Sequence, residues 1–185
     1  PDINRFIKEI ANDFIDYARQ RNIDFQILCD ESMPTDVYID KNIVEKIVMN
    51  LLNNAFKYTP DRGSIILETR CRKAFTSLYK NSYTVGESTN DVFSIIVSDT
   101  GVGISRESIS SVFERFYKVN TVNADSHLGT GIGLALVKSL VLLQKGTISI
   151  HSEREKGTDM IVYLPLDRSI FNETDFMKQK ETTQE

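Results

Sequence analysis

Tryptophan is absent from this 185-residue chain, which holds only two cysteines, two histidines and four prolines. Cys29 and Cys71 cannot form a disulfide framework, so the fold must rest on a hydrophobic core, and a reducing compartment is expected. His127 and His151 stand apart from any cysteine or carboxylate cluster at ligand spacing, which leaves them no metal-site role. Long apolar runs are also missing. Stretches such as 47–52 and 140–143 fall far short of the roughly 20 residues that a membrane helix needs. There is no signal-peptide pattern. The chain begins at Pro1 rather than methionine, so it is expected to be an excised piece of something longer. An excess of positive charge is lacking too. The net charge is -4, which excludes a global field for nucleic acid or an anionic membrane surface. A local basic cluster can still meet phosphates.

What is present suits one globular domain. Hydrophobic residues make up 41% and charged residues 26% of the chain, enough for a substantial core. Apolar residues recur at helical spacing over residues 2–20. Residues 25–29 and 36–39 read as short strands around Met33-Pro34. Asp40 is a plausible N-cap for a helix running to about Lys57, with Pro60 and Gly63 closing it. Residues 64–72 and 92–98 read as strands, and 73–90 as a polar loop longer than most hairpin connections. A short helix is expected at 107–113 and a strongly apolar one at 134–143. Strands at 146–152 and 158–164 follow, joined through a turn containing Gly157. The charged segment 167–185 reads as a tail or linker. Strands and helices mix without strict alternation. That pattern predicts an α+β sandwich, with helices on one face of a mixed sheet.

Chemistry concentrates in a few places. In Asn50-Leu51-Leu52-Asn53-Asn54-Ala55-Phe56-Lys57-Tyr58, helical spacing puts Asn50, Asn54, Lys57 and Tyr58 on one face. An amide oxygen suits magnesium, which takes few protein ligands and keeps waters and substrate phosphates. Lys57 can meet a phosphate, and Tyr58 offers a ring to a purine. A solvated helix face is the alternative. Asp99-Thr100-Gly101-Val102-Gly103 ends an apolar strand with a carboxylate and then glycines. Asp99 can accept from an exocyclic amine such as adenine N6, while a guanine carbonyl would be repelled. An ordinary turn is the alternative.

Gly129-Thr130-Gly131-Ile132-Gly133 opens a helix, whose free N–H groups favour phosphate. No Gly-Lys-Ser/Thr is present, and no strand precedes the glycines, so neither a P-loop nor a dinucleotide fingerprint applies. A hinge before a core helix is the alternative here. Phe113-Glu114-Arg115-Phe116-Tyr117-Lys118 alternates aromatic anchors with cations. Arg115 or Lys118 could swing onto a triphosphate; an ordinary helix end with buried Phe is the alternative.

The order of these motifs resembles the catalytic ATP-binding domain of bacterial sensor histidine kinases. That domain belongs to the superfamily shared with gyrase, Hsp90 and MutL ATPases. The resemblance covers about residues 1–166. Residues 50–58 resemble the N box, 99–103 the first glycine box, 113–118 the F box, 129–134 the second glycine box and Gly157-Thr158 a short third one. It implies the two-layer Bergerat fold, with ATP and Mg2+ as ligands. It further implies that Asn54 ligates the metal and Asn50 supports the phosphates. Lys57, Arg115 and Lys118 would contact phosphate and Tyr58 the adenine ring. Asp99 would receive the adenine amine, with Gly101, Gly103, Ile104, Leu134 and Thr158 around the base. Residues from about Tyr117 to Thr130 would form a lid over the nucleotide, with Gly129, Gly131 and Gly133 its hinge and phosphate-facing end.

The kinase family needs a phosphoacceptor histidine on a helical dimerisation domain, and no such helix is present here. Residues 1–20 resemble only the helical lead-in from that domain, with 21–166 the catalytic domain. The resemblance thus implies transfer of the ATP γ-phosphoryl in trans to a histidine-bearing domain of the same parent. A response regulator or receiver domain would lie downstream. Neither nucleic acid nor direct membrane contact is implied, and the piece would be the cytoplasmic part of a membrane-anchored sensor. A self-contained ATPase is the alternative, but superfamily ATPases carry a glutamate where Asn50 stands, and an amide is a poor base. A non-catalytic nucleotide-sensing module is a third possibility.

Overall fold

The computed structural model describes residues 2–34, 39–71, 76–86, 92–117 and 131–166. The chain opens with α1 (Ile3–Asn12) and α2 (Ile15–Gln20), then β1 (Asp24–Cys29) and the long helix α3 (Lys41–Tyr58). Strands β2 (Ser64–Cys71), β3 (Asn81–Val85) and β4 (Val92–Asp99) follow. Helix α4 (Gly133–Leu143) precedes β5 (Thr147–Glu153) and β6 (Gly157–Pro165). The six strands form one sheet in the order β1-β2-β4-β6-β5-β3. Only β1 and β2 run parallel; the other neighbours are antiparallel. The predicted α+β sandwich is the observed fold.

Alternation along the strands decides what each face buries. Ile65, Leu67, Ile95, Val97, Ile148, Ile150 and Val162 join one core cluster with the buried stripe of α3. That stripe comprises Ile43, Val44, Ile47, Val48, Leu51, Leu52, Ala55 and Phe56, the spacing of a helix with one face against a sheet. The Asp40 carboxylate caps α3, accepting from the amides of Asn42 (2.9 Å) and Ile43 (3.3 Å). At the other end the Arg21 guanidinium donates to the carbonyls of Phe56 and Thr59. A cation on those last carbonyls satisfies orphan acceptors and complements the helix dipole. The Phe56 ring packs against Phe14, Tyr17 and Phe25, with centroids 5.3, 5.6 and 5.2 Å away. This aromatic knot fixes the C-terminal turn of α3, where the site lies.

Several expectations need correction. Residues 2–20 form two helices, because the amides of Asp13 and Phe14 bond back three residues, to Ile10 and Ala11. Asn12 and Asp13 are weak helix formers, so the chain tightens and restarts there. Ile3, Ile7 and Ala11 are fully buried in the same core cluster as the sheet, so α1 packs into the sandwich. The expected helix at 107–113 is a series of turns, with Ser108, Ser111 and Glu114 amides each bonding three residues back. Four serines lie in or beside it, and the Ser105 hydroxyl reaches Ser108 Oγ (3.2 Å). Such hydroxyls compete with helical bonding. The polar segment 73–90 contains β3, which pairs with β5 at the edge of the sheet. Gly157 lies in β6 opposite Glu153, and residues 154–156 make the turn. Ile39 is not in a strand, and residues 36–38 lie outside the described residues, as do 167–185.

Candidate nucleotide-binding site

A cavity of about 320 Å³ opens between the C-terminal half of α3, the ends of β4 and β6, and the start of α4. Asn53, Asn54, Lys57 and Tyr58 form the α3 wall. Val97 and Asp99 from β4, Ile150 from β5, and Thr158 and Met160 from β6 form the floor. Gly103 and Ile104 close one side, and Gly131, Gly133 and Leu134 the other. Residues distant in sequence thus converge on one concave surface. Apolar patches lie beside a few polar groups, as a planar polar ligand requires.

The α3 wall follows from the helix repeat. Asn54, Lys57 and Tyr58 lie on the edge of α3 that its buried stripe leaves open. Lys57 Nζ stands 4.8 Å from the centre of the Tyr58 ring, a cation–π contact that holds ammonium and ring side by side. Asn50 is one turn further back and not on the cavity wall. Its amide nitrogen donates to the Lys46 carbonyl at 2.7 Å. Its oxygen faces Gly133, 2.8 Å from where a Cβ would stand, so Asn50 meets the N-terminus of α4.

Asp99 is 8% exposed, and its Oδ1 accepts from the Gly101 amide at 2.8 Å. Burial, with the charge of nearby Asp159, pushes its carboxyl up from 3.8 to about 7, against the lowering by the amides of Gly101 and Thr158. A carboxylate paying such a desolvation cost in a cleft is a functional-site signature. Behind it Ser152 Oγ donates to the Gly157 carbonyl (2.7 Å) and accepts from the Thr158 hydroxyl (3.0 Å) and the Ile104 amide (2.8 Å). Gly103 has φ +63° and lies where a Cβ would come within 1.9 Å of the Glu153 carbonyl oxygen. Only glycine lets this loop close against the β5–β6 turn.

Residues 39–168 match the family described as "Histidine kinase-, DNA gyrase B-, and HSP90-like ATPase". The chain belongs to this family. Over 178 residues it is 34% identical to histidine kinase P4 of Formosa agariphila, covering 95% of this chain and 12% of that protein. Over 166 residues it is 34% identical to the sensor histidine kinase TmoS of Ectopseudomonas mendocina, covering 90% of this chain and 15% of that one. The chain therefore spans less than a sixth of the length of these curated relatives. Among solved structures, the catalytic domain of histidine kinase ThkA superposes with a TM-score of 0.66 at 22% identity, covering 90% of this chain and 93% of that one. Full-length ShkA, crystallised in complex with AMPPNP, gives 0.66 at 22%, covering 89% and 30%. At that identity the two structures speak to the fold.

In the family's terms the structure gathers most of the expected residues: Asn54, Lys57, Tyr58, Asp99, Gly103, Ile104, Gly131, Gly133, Leu134 and Thr158 all line one cavity. Gly101 stands behind it as the amide donor to Asp99. Arg115 is exposed and off the wall, while Tyr117 beside it lines the cavity. Lys118, Gly129 and Thr130 lie outside the described residues. The reading of motifs overlooked Asn53, Val97, Val102, Val112, Ile150 and Met160, which also line the cavity. Val97 and Met160 were findable, since each is two residues along its strand from Asp99 or Thr158 and shares its face.

Proposed function

We propose that this chain is the ATP-binding catalytic domain of a two-component sensor histidine kinase. It would pass the γ-phosphoryl of ATP to a histidine on a separate helical dimerisation domain. The observation that carries this reading is the buried Asp99 carboxylate on the cavity floor, facing the Asn54–Lys57–Tyr58 wall. Asp99 accepts from the adenine amine, and Tyr58 lies beside the base. Kinase relatives of similar sequence, and the AMPPNP complex of ShkA, support the choice of nucleotide.

The donor set fits magnesium. Among the described residues no cluster of three His, Cys, Asp or Glu could hold a metal ion. Asn54, half-buried on the cavity wall, would be the ligand among the described residues, with waters and phosphates completing the shell. Bound there, the ion neutralises phosphate charge. Lys57 adds a second positive charge from the same wall. Phosphoryl transfer asks the protein mainly for positioning and charge neutralisation. The acceptor imidazole is its own nucleophile, so no water-activating base is needed.

That last requirement separates the kinase from a self-contained ATPase. Asp99 is the only carboxylate among the described cavity residues, and it is assigned to the base. Asn50 donates to the Lys46 carbonyl and faces Gly133, and its amide is a poor base. Transfer is tested by mixing the chain with labelled ATP, Mg2+ and the parent's helical domain. Acid-labile phosphate on that domain is expected; its absence while ATP is bound would count against the kinase assignment. A response regulator or receiver domain is the proposed downstream partner. The parent is proposed to be a membrane-anchored sensor with this domain in the cytoplasm. Among the described residues no helix is long and apolar enough to cross a membrane.

A further inference from the structure

Residues 76–80 run between β2 and the edge strand β3, and they touch the sheet at three neighbouring strand ends. The Tyr79 hydroxyl lies 3.1 Å from the Lys156 carbonyl and 3.3 Å from the Asp99 carbonyl. Ser77 Oγ donates to the Asp159 carboxylate and accepts from the Tyr79 amide at 3.1 Å. The Lys80 amide donates to Glu153 Oε1 at 2.9 Å. Asp159 follows Thr158 in β6, so the two side chains point to opposite faces of the sheet. Thr158 faces the cavity; Asp159, 6% exposed, faces the other way.

Gly157 is the point of closest approach. Its φ is +130°, and a Cβ there would stand 2.0 Å from the Asp99 carbonyl oxygen and 2.6 Å from the Tyr79 hydroxyl. The phenol therefore occupies the space that glycine leaves, directly behind the register pair Asp99–Thr158. Burial, and then the charges of Asp159, Asp99 and Glu153, raise the Tyr79 phenol to about 12. It stays protonated, and it remains a donor to main-chain oxygens throughout the working range.

We propose that Tyr79 is a positioning residue for base recognition: from the face of the sheet opposite the cavity, its hydroxyl fixes the backbone from which Asp99 and Thr158 project. This rests on the assignment of Asp99 to the adenine amine. Tyr79 touches no ligand. It sets the angle at which the carboxylate meets the base, and so it acts on selectivity between bases and not on affinity for phosphates. Ser77 serves the same end by holding Asp159 and the Tyr79 amide.

The test is calorimetry on the full 185-residue chain with Mg-ATP, Mg-GTP and inorganic triphosphate. Tyr79→Phe keeps the ring and removes only the hydroxyl. It is expected to cut the ATP-over-GTP affinity ratio by about three- to tenfold, the worth of one hydrogen bond, while triphosphate affinity stays within about twofold. Ser77→Ala should move the ratio in the same direction, which covers the case in which the Phe variant fails to fold. A ratio unchanged in the folded variants overturns the proposal and leaves the base assignment intact. Equal losses of ATP and triphosphate also overturn it, because they report general damage. Should the unaltered chain bind ATP and GTP alike, the base assignment itself falls, and this inference with it.

Discussion

Asp99→Asn separates the structural cost of the buried carboxylate from its use. In the folded protein its carboxyl is raised from 3.8 to about 7, so the native state holds a proton that the unfolded chain releases. An acid raised in this way costs stability as pH climbs. The penalty is absent below about 4, grows between about 4 and 7, and is complete above 7. At 1.36 kcal/mol per pH unit it reaches about 4 kcal/mol. Asparagine has no charge to bury and can keep the acceptor bond from the Gly101 amide. The variant should therefore match the parent near pH 4 and exceed it by about 4 kcal/mol at pH 8. For a chain of this size that is a gap in Tm of about 10 °C.

Binding should move the other way. With its oxygen held by Gly101, the new amide presents N–H groups to the base, where adenine also presents a donor. ATP affinity should fall by about 10- to 150-fold, the loss of a charge-assisted hydrogen bond. GTP, with a carbonyl at that position, should gain. In the parent, ATP affinity should rise between pH 6 and 8 as the carboxyl ionises, and in the variant this slope should flatten. Thermal melts from pH 4 to 8.5 and calorimetry with both nucleotides measure each effect. Equal Tm at pH 8 would refute the burial argument, and unchanged ATP-over-GTP preference would refute the assignment to the base.

Three further outcomes are expected. Asn54→Ala should weaken Mg-ATP binding by about tenfold and metal-free ATP binding less; calorimetry showing the same magnesium dependence as the parent would remove Asn54 as the ligand. The isolated chain should release phosphate from Mg-ATP barely above the uncatalysed rate, because Asn50 is bonded to the Lys46 carbonyl and is no base; brisk turnover in a phosphate-release assay would favour the ATPase alternative. Phe56→Ala, which empties the centre of the Phe14–Tyr17–Phe25 knot, should cost about 3–5 kcal/mol in denaturant unfolding; a loss under 1 kcal/mol would show that the knot does not anchor α3.

The amino-acid sequence by itself determined what depends on near neighbours. The Asp40 cap, the buried stripe of α3, the carboxylate at the end of β4 and the turn-forming glycines all act within a few residues, and helix and strand periods make them legible. So does the order of the motifs, which points to the family. Tertiary structure alone decided the rest, because those features depend on contacts between residues far apart in the chain. β3 is hidden in a polar segment because its pairing is supplied by β5, more than 60 residues on. Asn50 shares a sequence motif with Asn54, yet it lies off the cavity wall because α4 packs against it. Asp99 is acidic in any sequence, but its raised carboxyl comes from burial and from Asp159 on the neighbouring strand. Tyr79 carries no local signal at all; its place behind Gly157 exists only once the sheet has closed.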